Sequence, residues 1–421
     1  MNNKCIKLTG MLLPVNGDDP EAFATSGARG CFSEKPSFKI QEDEEKREDY
    51  NQRKELIFRE TSGRGHGAVL DQSAFLFSAD NLSRASTLFL CAPQYASHLQ
   101  QSLRRATAER GFVNADKDAD KLMSHQFRLY EKMLEGGIPP EDARFILPLG
   151  TKTAIQTKLD ARELIHLYSM SKRANAPDEV KDTVREMYRL AQEVAPRMME
   201  DRENSMEVLS WLPAPQLFAL DNKTIENLVR SAQDKVTLLG SETILIDKDE
   251  IEQAIKKRNE ALLSCLKHVH FTYLAPMSIA TFHQATRQRT WDQSVQAIPN
   301  AVRKRQYVTP PTISETRFKT PYSSLLNDSF DYANANTHPN SFLALPHALE
   351  VYDIIHINGW NAIHSIAKRT CAKAQWEIRD IACKMADEIK KVYPELGEFI
   401  GPQCEVYSRC PESNPCKTDF R

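Results

Sequence analysis

The same landmarks occur twice in this chain, in the same order, about two hundred residues apart. KVTLLG (235–240) resembles CIKLTG (5–10), and FTY (271–273) resembles FLF (75–77). LALP (343–346) resembles FILP (145–148), and KAQWEIRDIA (373–382) resembles NAPDEVKDTV (175–184). The spacing agrees: Leu147 precedes Glu179 by 32 residues, and Leu345 precedes Glu377 by 32. The offset is 196 from Phe75 to Phe271 and 198 from Leu147 to Leu345. Four landmarks in one order indicate an internal duplication, with a period far above the roughly 20–50 residues of solenoid repeats. The fold of one half must therefore be the fold of the other. The expected units are 1–224, with a charged insertion at about 34–60, and 225–421.

Within each unit the pattern mixes short strands with helices. CIKLTG reads as a strand, and 19–31 as a helix begun by Asp18, Asp19 and Pro20, residues that suit a first turn. QEDEEKREDYNQRKE (41–55) is charge-rich and reads as an exposed helix or insertion. A glycine-punctuated loop carries His66, then a strand passes through Phe75 and Phe77 and an apolar run leads to Gln100-Gln101-Ser102-Leu103-Arg104. Helical periodicity covers 117–136 and stops at Gly136-Gly137. A helix pair follows over 161–173 and 178–200, with Pro177 in the first turn of the second helix, where no amide partner is lost. A connector rich in Pro and Asn spans 212–224. The second half alternates around Phe271 and Tyr273, turns helical over Ile279–Ala285, and runs through a loop to Pro310-Pro311. Each unit is thus expected to be α+β, a small mixed or antiparallel sheet with long helices.

With 55 basic and 57 acidic residues the net charge is −2, so nothing global calls for nucleic acid or an anionic membrane. No apolar run is long enough to span a bilayer. The N-terminus lacks a signal-peptide layout, and nine scattered cysteines with no CxxC pair fit reduced thiols. A soluble cytoplasmic protein is expected. Cys404, Cys410 and Cys416 follow no standard zinc spacing, so no metal site is expected.

The chemistry concentrates in Gln284, Arg287, Gln288 and Arg289. Guanidinium forks match phosphate oxygens, so an Arg-x-Arg pair leaving a strand–helix unit suits a phosphate-bearing ligand, although a solvated basic turn has the same composition. Both halves resemble the flavin-dependent thymidylate synthases over nearly the whole chain. QQSLR (100–104), ARFILP (143–148) and DAR (160–162) resemble that family in the first half. RQR (287–289), NGW (358–360), KR (368–369) and AQWEI (374–378) do so in the second, and the tail 401–416 is similar to the cysteine-bearing tails of some members. Departures from the family pattern fall in both halves. Cys91-Ala92-Pro93 stands near the Arg-His-Arg position and Ser171 at the late arginine. Gln288 replaces the motif histidine, QSVQAIP lacks the serine–arginine pair, Phe342 stands where Ala-Arg would put its arginine, and Trp360 where Asn-x-Arg has one.

The resemblance implies FAD as cofactor, with NADPH and methylenetetrahydrofolate as co-substrates, and a dUMP-like pyrimidine nucleotide alkylated at C5. Its reactive residues would be Ser102 and Arg369, the latter stabilising charge that develops on the uracil ring. The nucleotide would be held by Gln100, Gln101, Arg104, Arg144 and Gln284. Flavin would lie against Arg287, Gln288, Arg289, His66, Asp71, Asp160, Arg162, His166 and Asn358. The family's symmetric tetramer implies a homodimer with pseudo-tetrameric symmetry for a fused pair of units, with a composite site pooled from both halves. A different uracil or cytosine nucleotide as substrate, or a non-catalytic nucleotide-binding scaffold, remain alternatives. Locally, Ser102-Leu103-Arg104 could be plain helix surface, Arg144 could pair with Asp142 or Glu141, His66 could be an ordinary loop histidine, and His356 and His364 read as packed histidines on a helix.

Overall fold

A computed structural model describes residues 4–15, 17–200, 213–220, 223–232, 235–410, 412–413 and 415–416. Contacts divide the chain into two compact units. Unit 1 comprises 1–131, 147–214 and 335–345; unit 2 comprises 132–146, 215–334 and 346–421. Each unit thus takes a short segment from the other half of the sequence, and the segment carrying Arg144 belongs to unit 2.

Unit 1 contains an antiparallel sheet of β1 (Cys5–Met11), β2 (Phe75–Ser83), β3 (Ser97–Gln100) and β4 (Lys152–Leu159), in the order β1-β2-β4-β3. Alternation puts Phe75, Phe77 and Ala79 on the buried face. Three helices, α1 (Ala22–Gly30), α2 (Ser37–Glu44) and α3 (Tyr50–Glu60), occupy the stretch before β2. The charged insertion is less exposed than its composition suggests. Ile40 and Phe58 are buried, and buried Lys54 is paired with Asp19 (2.7 Å) and Glu21 (3.4 Å). Next come α4 (Arg84–Leu90) and α5 (Lys117–Glu135), and then α6 (Ala161–Arg173) and α7 (Asp178–Val194), which pack on each other. Helix α7 also covers β1 and β2. It stops at Val194, short of the expected 200.

Unit 2 repeats the plan with β5 (Thr237–Glu242), β6 (His270–Ser278), β7 (Asp292–Val295) and β8 (Glu350–Asn358), ordered β5-β6-β8-β7. Its helices include α8 (Ile279–Ala285), α9 (Lys319–Ala335), α10 (Ala367–Thr370) and α11 (Trp376–Val392). The stretch expected as a loop up to Pro310 holds β7 and a helix, Ile298–Lys304. His356 lies on β8 rather than on a helix, accepting or donating to Thr272 (2.8 Å) and stacked on His270, while His364 is exposed. The connector 212–224 falls partly outside the described residues.

The duplication extends to irregularities. β1 shifts register against β2 between Leu8 and Gly10, and β5 shifts against β6 between Leu238 and Gly240, the same bulge in the two similar hexapeptides. The repeats differ by one residue in their central strand pair. Phe75–Ser83 pairs with Leu159–Lys152, nine residues against eight, whereas Phe271–Ser278 pairs with Ile357–Glu350, eight against eight. The extra residue of β2 lies between Ala79 and Leu82, where Asn81 takes φ 59°, a left-handed conformation asparagine tolerates well.

One carboxylate per unit, buried in unit 2 and half-buried in unit 1, fixes the strand-to-helix turn. In unit 2 Glu377 accepts from Ser278 N (2.6 Å), Ser278 Oγ (2.6 Å) and Thr281 Oγ1 (2.7 Å), while Ser278 caps α8 by accepting from Thr281 N (3.1 Å). In unit 1 Glu179 accepts from Ser83 N (3.2 Å), Ser83 Oγ (2.5 Å) and Ser86 Oγ (2.5 Å), and Ser83 caps α4. Burial pushes the Glu377 carboxyl up in pKa, and the serine and threonine donors and Arg144 pull it back. Glu377→Ala would strand a buried N–H and two hydroxyls, so it should cost about 2–4 kcal/mol. Denaturant unfolding should show that loss, with Glu377→Gln in between; an unchanged midpoint would contradict the clamp.

Candidate functional site

In unit 2 the clamp sets the axis of α8, and the end of α8 delivers Gln284 and the turn Arg287-Gln288-Arg289. That turn is pinned from the other side. Buried Trp291 donates from Nε1 to Ser365 Oγ (2.7 Å), and Ser365 donates to the Asn361 carbonyl (2.5 Å). Ser365 belongs to a π-helical segment, Ala362–Ile366, that runs into α10 and its Arg369. Such wide turns recur at functional sites. Asn358 starts this run, accepting from Asn361 N (2.9 Å).

Arg369 reaches back to the turn. Its Nη2 donates to the Gln284 carbonyl (3.2 Å). With the Gln288 amide oxygen turned inward, as its neighbours require, that oxygen accepts from Arg369 Nε (2.8 Å) and Nη2 (2.7 Å). Gln284, Gln288 and Arg369 therefore form one constellation, with half-buried Arg287 and exposed Arg289 beside it in sequence.

Arg144 joins unit 2 from the first sequence repeat. It is buried, 5 % exposed, donates from Nε to the Glu141 carbonyl (3.0 Å), and contributes to the electrostatics of Glu377. Its neighbours anchor it: Phe145 stacks on Trp376 with centroids 6.0 Å apart, and Trp376 Nε1 donates to Asp142 Oδ1 (2.9 Å). Asp142 also accepts from Thr312 Oγ1 (2.7 Å). The local partner foreseen for Arg144 is thus the Glu141 backbone.

Unit 1 holds the other candidates. His66 is exposed in a loop turned by Gly65 (φ 89°). A Cβ on Gly67 would come within 2.8 Å of Arg162 Cδ, so that glycine lets Arg162 pass. Arg162 Nε pairs with Asp71 Oδ1 (2.8 Å). Asp160 caps α6, accepting from Glu163 N (2.8 Å). Burial, with a further push from Asp71 and Glu163, raises its carboxyl to about 6. Glu163 accepts from Tyr95 N (2.9 Å) and faces His166 Nδ1 (3.1 Å). His66, Asp71, Asp160, Arg162 and His166 therefore sit on one short loop and the first turns of one helix. Gln100 Nε2 donates to Thr87 Oγ1 (2.7 Å), and the Gln101 carbonyl accepts from Arg84 Nη1 (3.2 Å). Exposed Ser102 accepts from Arg104 N (3.3 Å) just beyond β3, in a turn rather than on a helix surface. Ser171, at the position matching Arg369, donates to the Tyr168 carbonyl (2.7 Å).

Sequence reasoning missed Glu377, Trp291, Ser365 and Glu163 as the residues that hold the site. Ser278-x-x-Thr281 before an apolar helix was a readable cap signal, and AQWEI already contained Glu377. Nothing local pointed Trp291 at Ser365.

A family model described as thymidylate synthase complementing protein matches residues 12–197 and again 221–395. The chain belongs to this family. It carries the family's unit twice. Among its relatives, a flavin-dependent thymidylate synthase of Geobacter sulfurreducens is 31 % identical over 196 residues, 44 % of this chain and 82 % of that one. Those of Sulfolobus acidocaldarius and Haloarcula marismortui are 29 % and 24 % identical, over 41 % and 45 % of this chain and 69 % and 93 % of their own lengths. A UMP/dUMP methylase from Streptomyces cacaoi, solved with 5-Br dUMP, has a TM-score of 0.40 at 16 % identity, covering 50 % of this chain and 99 % of that one.

Gln288 is the hinge of the unit 2 constellation. Gln288→Leu keeps the bulk and removes the acceptor, and a hydrogen bond to a charged group is worth about 1.5–3 kcal/mol. Amide exchange across 359–371 should therefore accelerate in Gln288→Leu and stay near the parent rate in Gln288→Glu. Equal exchange in both variants would show that the amide does not restrain Arg369.

Proposed function

We propose that this protein is a flavin-dependent enzyme that alkylates C5 of a pyrimidine nucleotide, by methylation or hydroxymethylation. The observation that carries the reading is the constellation of Arg369 with Gln284 and Gln288 beside an Arg-x-Arg turn, in a chain made of two thymidylate synthase complementing protein units. A guanidinium fixed before substrate arrives can stabilise negative charge on a uracil oxygen without reorganising. Arg369 takes that role.

The donor set fits a flavin dinucleotide: Arg287 and Arg289 offer paired forks for a diphosphate, with Asn358 at the start of the helical run that leads to Arg369. His66, Asp71, Asp160, Arg162, His166 and Gln288 complete the cofactor set. FAD would supply the reducing equivalents, which no side chain can provide. NADPH and methylenetetrahydrofolate are the proposed co-substrates. Ser102, Arg104 and Arg144, with Gln100, Gln101 and Gln284, hold the nucleotide in this reading, and Ser102 joins Arg369 as a reactive residue. Arg144 has a second task, offsetting the Glu377 carboxylate beneath it.

The two sequence repeats lose complementary parts. The serine–arginine pair and Ala-Arg stand only in the first, Arg-x-Arg and the late arginine only in the second. We therefore read one kind of complete site, pooled from both repeats, and a counterpart that no longer works. A homodimer with pseudo-tetrameric symmetry and a cytoplasmic location belong to the same proposal. Among the described residues no helix is long and apolar enough to cross a membrane. Gln288 in place of the motif histidine favours, as the second reading, a related enzyme acting on a different uracil or cytosine nucleotide.

Truncating one partner of a buried charge contact costs about 2–5 kcal/mol. Arg104→Ala and Arg369→Ala should each weaken pyrimidine-nucleotide binding more than tenfold in a titration, and Ser171→Arg should leave it unchanged. The parent protein should show a flavin absorption band that fades in the Arg287→Ala/Arg289→Ala double variant. Silent Arg104 and Arg369 variants would overturn the pooled site, and a colourless protein that FAD cannot reconstitute would overturn the redox chemistry.

A further inference from the structure

Five of the nine cysteines, Cys371, Cys383, Cys404, Cys410 and Cys416, line a single cavity of about 640 Å³ in unit 2. They come from three places: the turn after α10, the exposed flank of α11, and the segment around a short helix, Gln403–Val406. All are free thiols. The remaining four are dispersed, with Cys5, Cys31 and Cys265 exposed and Cys91 buried in unit 1. A soluble chain has no packing reason to gather more than half its thiols at one hollow, since free cysteine packs as a small apolar residue and serves well anywhere in a core.

Two ligand chemistries suit such a cavity, and the geometry separates them. A soft cation needs three or four thiolates already converging on one point. Among the described residues no three His, Cys, Asp or Glu side chains are placed to hold one ion. Pairwise sulfur chemistry asks for less, namely one thiol with a second in reach. Cys404 shares the cavity wall with Cys371 and Cys410; it is buried, 8 % exposed, and both neighbours add to the upward push that burial gives its thiol. Burial holds the Cys404 and Cys383 thiols above the ordinary range, with Arg379 pulling Cys383 back only in part, so Cys404 takes the resolving part and its partner supplies the thiolate that attacks peroxide.

We propose that this cavity is a thiol–disulfide site in which Cys404 forms a reversible disulfide with one of its two neighbours, Cys371 or Cys410. The oxidant is hydrogen peroxide. One cavity thiolate attacks a peroxide oxygen, giving a sulfenic acid and hydroxide. The second thiol then displaces hydroxyl from that sulfur as water, so two thiols lose two electrons and peroxide is reduced to two waters. A dithiol reductant restores the pair. Lys368 and Thr370, on either side of Arg369, line the cavity, but the thiol chemistry does not depend on the proposed activity.

The test is differential alkylation of the full chain with mass-spectrometric mapping, before and after a limited dose of hydrogen peroxide. The expected result is an intramolecular disulfide-linked peptide containing Cys404, formed while exposed Cys5, Cys31 and Cys265 remain alkylatable, and reversed by dithiothreitol. It should vanish in Cys404→Ser and persist in Cys265→Ser. If Cys404→Ser fails to fold, the Cys371→Ser/Cys410→Ser double variant should abolish the same link. The proposal is overturned if Cys404 stays alkylatable while the exposed cysteines oxidise, or if the linked peptides lack Cys404.

Discussion

A glutamate carboxylate seated on the N-terminus of a short helix is the contact on which both units depend. Glu377 holds Ser278 and Thr281, Glu179 holds Ser83 and Ser86, and each thereby ties the long C-terminal helix of its unit to the strand-to-helix turn. The arrangement satisfies helix-end amides that would otherwise lie buried without acceptors, and it places negative charge where the helix end favours it. In unit 2 the fixed helix delivers Gln284 and Gln288 to Arg369. A loose α8 would leave Arg369 without its two backstops.

What the clamp carries differs between the repeats. In unit 1 the helix runs out into Cys91-Ala92-Pro93, and the position matching Arg369 is a serine bonded to its own helix. The reverse holds beyond the third strand. There unit 1 has Gln101-Ser102-Leu103-Arg104 in an open turn, whereas in unit 2 Gln296 is buried and donates to Glu226, and Ile298 opens a helix. The scaffold is kept twice and the charged groups once. A protein whose subunits each carried a single unit could not separate the two in this way, because every copy would have to keep every group. Duplication within one chain removes that constraint.

The duplication was legible because hydrophobic pattern and spacing survive where chemistry changes. Strands β1 and β5, helix α6 and the start of α7 lie where periodicity and Pro177 placed them. Less legible were features set by distant partners. The charged insertion folds against its unit because Asp19 and Glu21 neutralise Lys54, thirty-odd residues away in sequence. The grouping of the Arg144 segment with unit 2 follows from Phe145 and Asp142 meeting Trp376, more than two hundred residues on. Helix α7 ends early although its polar composition continues, and β7 is too short to show alternation. Among the site residues, sequence similarity picked out the arginines, but only the fold reveals Gln288 as the acceptor that orients one of them.

The central proposal is that each chain keeps one working cofactor site. Its most direct test is the number of flavins bound per chain at saturation, from absorbance of released flavin against protein measured by amino-acid analysis. One flavin per 421-residue chain is the predicted result. Two per chain would mean that each unit keeps a complete cofactor site, and would contradict the account.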